Sequence, residues 1–344
     1  MRVFITGVLI VFTYFLGFGQ SYFYNSSVQF SQIDSRSSDG IFIQEYLQTT
    51  LNLPILKKAL FKRKNGTSRS NTLEILIPDP LGNENIFLLE EYEMMEKGLA
   101  KKYPDIKTFQ GRNKDNPTEK IHLGISDSEF YATVSSDFGS YSIDKISKDL
   151  QTYRIYYHAE LRGQLEKDFI CGFENKASKE NKTITQSRNS EETIPLRTYR
   201  LALACTGEFG SFYGPEKENV LAEMVKSINR VNQIMENDLA IRLILAENND
   251  KLIFVNAETD PYDDGNSGGA LLNRNTTVIN ENIGFANYDV GHVFTMGCND
   301  VGGVAFLSSI CAGNKGGGVT CHYSSDINLI AVRVAAHEIW VNLY

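Results

Sequence analysis

Histidine 337 and Glu338 open the run His337-Glu338-Ile339-Trp340-Val341, and this pair of residue types could do metal-assisted hydrolysis. In the helical pattern His-Glu-x-x-His the two imidazoles lie four residues apart on one face and bind one Zn²⁺. The glutamate between them polarises the metal-bound water. Here the position of the second imidazole is held by Val341, which cannot ligate a metal. Longer forms of the pattern add a glycine three residues after that histidine and a third histidine three further on. Tyr344 stands at the glycine position and is the last residue of the sequence, so the expectation is a site that has been cut short or altered within its helix.

The residues before this helix give it a context. Asn287 to Cys311 reads NYDVGHVFTMGCNDVGGVAFLSSIC, followed by GNKGGGVTC and by VRVAAHEIWVNLY. In order and spacing these segments resemble the adamalysin/reprolysin branch of the metzincin zinc endopeptidases, especially bacterial secreted members, across residues 195 to 344. Asn342 and Leu343 match residues that follow the second histidine in that family, whereas Trp340, Val341 and Tyr344 depart from it. The resemblance implies hydrolysis of internal peptide bonds in protein or peptide substrates. It implies Zn²⁺ as cofactor, His337 as first metal ligand and Glu338 as the catalytic general acid/base. It also places Cys311 where the family has a half-cystine paired to a more C-terminal cysteine, with that partner expected to be missing here, and it implies a Gly-Val edge strand within GNKGGGVTC. With one ligand of the usual three, the chain is expected not to retain zinc. His292, taken to lie on a helix, and His322, after that strand, are the nearby substitutes; His122 and His158 lie far away in sequence.

Other chemistry finds little support. No Gly-x-Ser-x-Gly elbow, P-loop or dinucleotide fingerprint occurs. A formal net charge of −8 without a basic stripe argues against nucleic acid as a partner. Asp260 to Asn275 is acidic and turn-like but lacks the ordered oxygen spacing of a calcium loop, so it reads as a solvated loop.

The elements that must position these residues follow from length and patterning. At 344 residues, with 42% apolar and 22% charged, the chain has ordinary globular composition and room for about two domains. Arg2 and the apolar run Val3 to Phe18, ending in Gly17-x-Gly19, read as a secretory signal over residues 1–19. The expected product is secreted, with no membrane span after signal cleavage. Export permits disulfides, and five cysteines leave at least one without an internal partner.

Residues 20–175 carry period-two runs (Leu73 to Ile77, Asn85 to Leu89, Ile121 to Ile125, Glu129 to Val134, Ser140 to Ile146, Thr152 to His158). Turn-rich pieces such as IPDPLGN and QGRNKDNP separate them. This is a β-rich domain, which by position resembles the family's propeptide; a β-sandwich adhesion module fits the pattern too. Within it Cys171 reads as a buried or disulfide-bonded cysteine, with a zinc-blocking thiolate as the alternative. Residues 176–194, KASKENKTITQSRNSEE and its flanks, form a polar linker.

Residues 195–344 alternate strand and helix. Leu196 to Cys205 reads as a strand. Pro215 to Glu236 reads as a helix, because Leu221, Met224, Ile228, Val231 and Met235 form one stripe. Strands are expected at Leu239 to Leu245, Leu252 to Val255 and Val304 to Leu307, and a second helix at Asn282 to His292. The fold class expected is α+β: a β-rich prodomain followed by the upper part of a metzincin α/β catalytic domain. Two functions compete: a zinc metalloendopeptidase precursor, inactive as it stands, and a non-catalytic secreted binding or inhibitory protein.

Overall fold

The computed structural model describes residues 21–30, 42–62, 72–137, 139–146, 151–162, 195–262, 267–321 and 328–343, side chains of 328–331 excepted. The signal segment, Cys171, the polar linker and His322 lie outside these residues.

The N-terminal strands are β1 (Phe23–Phe30), β2 (Phe42–Ile43), β3 (Glu45–Leu51), β4 (Leu73–Pro78), β5 (Glu84–Glu91) and β6 (Lys107–Asn113). They continue with β7 (Lys120–Ile125), β8 (Phe130–Ser135), β9 (Tyr141–Lys145), β10 (Thr152–Tyr157) and β11 (Leu161–Arg162). Helices α1 (Leu53–Leu60) and α2 (Lys97–Lys102) interrupt them. Nine strands form one antiparallel sheet in the order β1-β3-β10-β9-β8-β7-β6-β5-β4, and β2 pairs with β11. The run QGRNKDNP, expected as a turn, supplies the end of β6 before it turns. Alternation dictates the faces. Ile121, Leu123, Phe130, Ala132, Val134 and Ile143 point into a core shared with Leu53, Leu56 and Leu60 of α1. Their neighbours His122, Thr133, Ser142 and Asp144 point the other way and are buried as well.

The cause is the second unit, which begins with β12 (Arg197–Cys205), α3 (Gly207–Tyr213), α4 (Lys217–Leu239) and β13 (Ile241–Leu245). It continues with α5 (Gly268–Ile283), β14 (Val290–Thr295), β15 (Gly303–Ala305), β16 (Gly318–Cys321) and α6 (Asn328–Leu343). Its sheet order is β13-β12-β14-β16-β15, parallel except for β15. Leu201, Leu203 and Cys205 pack with α4 and α6 on one face, while Ala202 and Ala204 pack with α5 on the other. Helix α4 is therefore sandwiched. Its stripe of Leu221, Met224, Ile228, Val231 and Met235 faces its own sheet, and Glu223, Lys226, Asn229, Arg230 and Gln233 are buried toward the nine-stranded sheet.

That second face is held by polar pairing. Arg230 Nη2 donates to Asp144 Oδ1 at 2.6 Å, with side-chain exposures of 2% and 8%. Tyr156 Oη donates to the other carboxylate oxygen at 2.7 Å. Lys226 lies 2.8 Å from both Glu129 and Glu223. Asn229 Nδ2 donates to the Leu123 carbonyl, and its Oδ1 lies 3.2 Å from His122 Nδ1. Buried charges persist only when so paired.

Four expectations are corrected. The second helix is α5, ending at Ile283, and not Asn282 to His292; Gly284 with φ +83° stops it, and His292 lies on strand β14. The first turn of α5 is satisfied from far away: the Asp300 carboxylate accepts from Gly268 N at 2.9 Å and Gly269 N at 3.2 Å. In consequence the expected loop Asp260 to Asn275 is helical from Gly268 onward. Leu252 to Val255 is no strand but makes a single parallel bridge, Ile253 to Cys205 of β12. Two residues earlier along β12 the Asn249 side-chain amide accepts from Leu203 N at 2.7 Å and donates to Leu203 O at 2.9 Å. The sheet edge is β15, and Gly318 to Cys321 is an interior strand paired on both sides.

Candidate functional site

Helix α6 packs beneath β15 and β16 and beside α4, with Val332, Ala335 and Ile339 in the shared core. The helical turn of about 100° per residue then separates the two motif residues. His337 faces solvent, with its ring 6.3 Å from that of Trp340. Glu338 is fully buried and lies under the edge strand. A Cβ built on Gly303 would come within 2.8 Å of Glu338 Cγ and Oε1 and of Val334 Cγ1, so glycine is required where β15 crosses the helix. Sequence reasoning passed over Gly303; the pair Gly302-Gly303 inside a short apolar run was the available signal.

The end of α6 is firmly held. Its carbonyls at Val341 and Asn342 accept from Ser308 N at 3.2 Å and Ile310 N at 3.1 Å, so the loop after β15 caps the helix. The Asn342 side-chain amide donates to Phe306 O, Ser309 Oγ and Gly317 O, at 2.8 to 2.9 Å. Val341 is buried beside these contacts. Cys298 and Cys321 form a disulfide that joins the loop after β14 to the end of β16. Cys311, at the family's half-cystine position, is a free and exposed thiol, and Cys205 is free and buried, its pKa pushed up to about 12 by burial.

Among the described residues the donors around His337 fall short of a catalytic zinc site. Such a site uses three protein ligands and an open position. Among the described residues His337 belongs to no cluster of three metal-ligating groups. His292 is not a substitute: it is buried in the sheet, its Nε2 is 2.8 Å from Thr320 Oγ1, and burial lowers its pKa to about 3. His122 and His158 belong to the first unit, His122 contacting Asn229 of α4 and His158 contacting Ser142 of its own sheet. The cluster that does gather three carboxylates, Asp105, Asp127 and Glu218, lies elsewhere, and Lys57 is ion-paired with both aspartates.

No helix of the described residues is long and apolar enough to cross a membrane. No curated protein matches the chain. The sequence model of the metallo-peptidase family M12B, reprolysin-like, matches residues 221–340, which span α4 to the His337-Glu338 turn of α6. That family's chemistry is zinc-dependent cleavage of protein or peptide substrates. With a parallel sheet closed by an antiparallel edge strand over the His-Glu helix, this part of the α+β chain is similar to a reprolysin-like metzincin domain over residues 221–340.

Proposed function

We propose that the chain is a secreted metalloendopeptidase precursor of the reprolysin type whose hydrolytic centre is not competent as arranged. His337 marks the place of the first zinc ligand, Glu338 that of the general acid/base, and the nine-stranded unit that of the propeptide. The observation that carries this reading is the geometry of α6. Its His-Glu pair sits at the antiparallel sheet edge, but the residue one turn on is the buried apolar Val341. A bound metal would supply a Lewis acid and an activated water there. One imidazole cannot hold it, and no step of hydrolysis is assigned to these residues.

The burial of Val341 and the fixed helix end also favour a second reading, a secreted binding or inhibitory protein built on the same scaffold. In it the antiparallel edge strand would accept an extended peptide by main-chain pairing without cleaving it. Metal content and casein hydrolysis of the purified chain separate the outcomes. The proposal expects no stoichiometric zinc and no hydrolysis. One zinc per molecule with a rate that Glu338→Gln abolishes would overturn it and return His292 or His322 to the ligand set. Saturable binding of uncleaved peptides would favour the second reading.

A further inference from the structure

Residues 92–106, between β5 and β6, leave their own sheet and enter the core of the second unit. Tyr92, Met94, Met95, Leu99 and Ile106 are buried with Leu203, Met224 and Leu243. Met95 bridges Leu245 in parallel; Leu245 N donates to Met94 O at 2.8 Å and Glu96 N donates to Leu245 O at 2.9 Å. This arm thus extends the five-stranded sheet past β13, and Lys102 pairs with Asp250 at 3.0 Å beyond it. The polar face of α4 against β7, β8 and β9 then sets the register, through Arg230 with Asp144 and Lys226 with Glu129.

The position of the arm matters as much as its strength. β13 is one edge of the sheet and β15, over Glu338, is the other. The arm therefore lies five strand spacings from β15, about 24 Å. With both units in place, His337 is exposed.

We propose that the N-terminal unit is a clamp that does not occlude the candidate site. It grips β13 and α4 well enough to hold the two units together as separate chains when the connection between them is cut, and it leaves the His337 face open. Apolar burial by the arm supplies the hold, and the matched charges supply the orientation, as in interfaces with an apolar centre and a polar surround. The inference is independent of whether the chain hydrolyses anything.

The test uses the full chain with a recognition sequence for a specific protease placed between residues 180 and 181. After cleavage the two pieces should co-elute on size exclusion at micromolar concentration in 0.15 M and in 0.5 M salt, on the order of what a micromolar or tighter Kd requires. Leu99→Ala in the cut chain should weaken association roughly a hundredfold to a thousandfold, the usual effect of emptying a buried leucine site. Met95→Ala, a milder change, serves if that variant does not fold. Pieces that elute apart, or association unchanged in both variants, would overturn the clamp. Reaction of His337 with diethylpyrocarbonate in the uncut chain should proceed within about tenfold of that in a peptide spanning residues 330–344. Stronger protection would mean that the first unit covers the site, and the proposal would be wrong.

Discussion

Replacing Asp144 by alanine should be among the most damaging single changes in this protein. Its carboxylate takes one hydrogen bond from Arg230 at 2.6 Å and one from Tyr156 at 2.7 Å, and all three side chains are buried. Burial alone would raise the Asp144 pKa. The charges of Arg230, Lys226 and Arg154 outweigh it and hold the carboxyl below the usual carboxylate range. Removing it leaves a guanidinium in a desolvated site, which costs about 3–5 kcal/mol, and the orphaned Tyr156 hydroxyl adds roughly 1 kcal/mol. The double replacement Asp144→Leu with Arg230→Met removes both charges and should cost far less, within about 1 kcal/mol of wild type, because no ion is left unpaired. Urea unfolding followed by circular dichroism and by the fluorescence of Trp340, the single tryptophan, reads both units. If Asp144→Ala shifts stability by less than about 1 kcal/mol, or if the double variant costs the sum of the singles, the pair is not the desolvated, coupled unit described here.

Three further outcomes are expected. Cys298→Ser opens a disulfide spanning 23 residues, and loop-closure entropy then predicts a loss of about 3 kcal/mol, read as a lowered Tm under non-reducing conditions; an unchanged Tm would refute it. Ala240 ends α4 at φ +53°. Ala240→Gly relieves roughly 1–2 kcal/mol of left-handed strain against about 0.5–1 kcal/mol of glycine entropy, so a gain of about 0.5 kcal/mol should appear, and any clear loss counts against the reading. Burial lowers the pKa of His158 to about 4 and of His292 to about 3. The unfolded chain binds these protons first, so stability is full above about pH 6.5 and falls as pH drops toward 4. At pH 5 each histidine withdraws up to about 2 kcal/mol, and a flat stability profile from pH 7 to 5 would show that they are not buried neutral.

The placing of His337, Glu338 and Val341 on one helix and most strands of the first sheet were legible from the sequence alone. They rest on local signals: fixed spacing on a helix, side-chain type, and period two between turn residues. The apolar stripe of α4 was legible for the same reason. Its other face was not, because Glu223, Lys226 and Arg230 have the composition of a solvated surface. Only the arrival of Glu129, just before β8, and of Asp144 in β9, some 90 residues earlier in the chain, makes them interior. Helix α5 was misplaced because its local cap, Ser267 accepting from Ala270 N, lies in a Gly-rich turn, and the remaining first-turn donors are satisfied by Asp300, about 30 residues away. The edge of the second sheet was misassigned between two short Gly-Val segments, because pairing partners and not propensity decide which strand is interior. At the candidate site the sequence offered the candidates, and the fold decided that His337 faces water, that Glu338 lies under Gly303, and that His292 is committed to the sheet. Orientation about a helix axis depends on what packs against each face, and that is set by contacts distant in sequence.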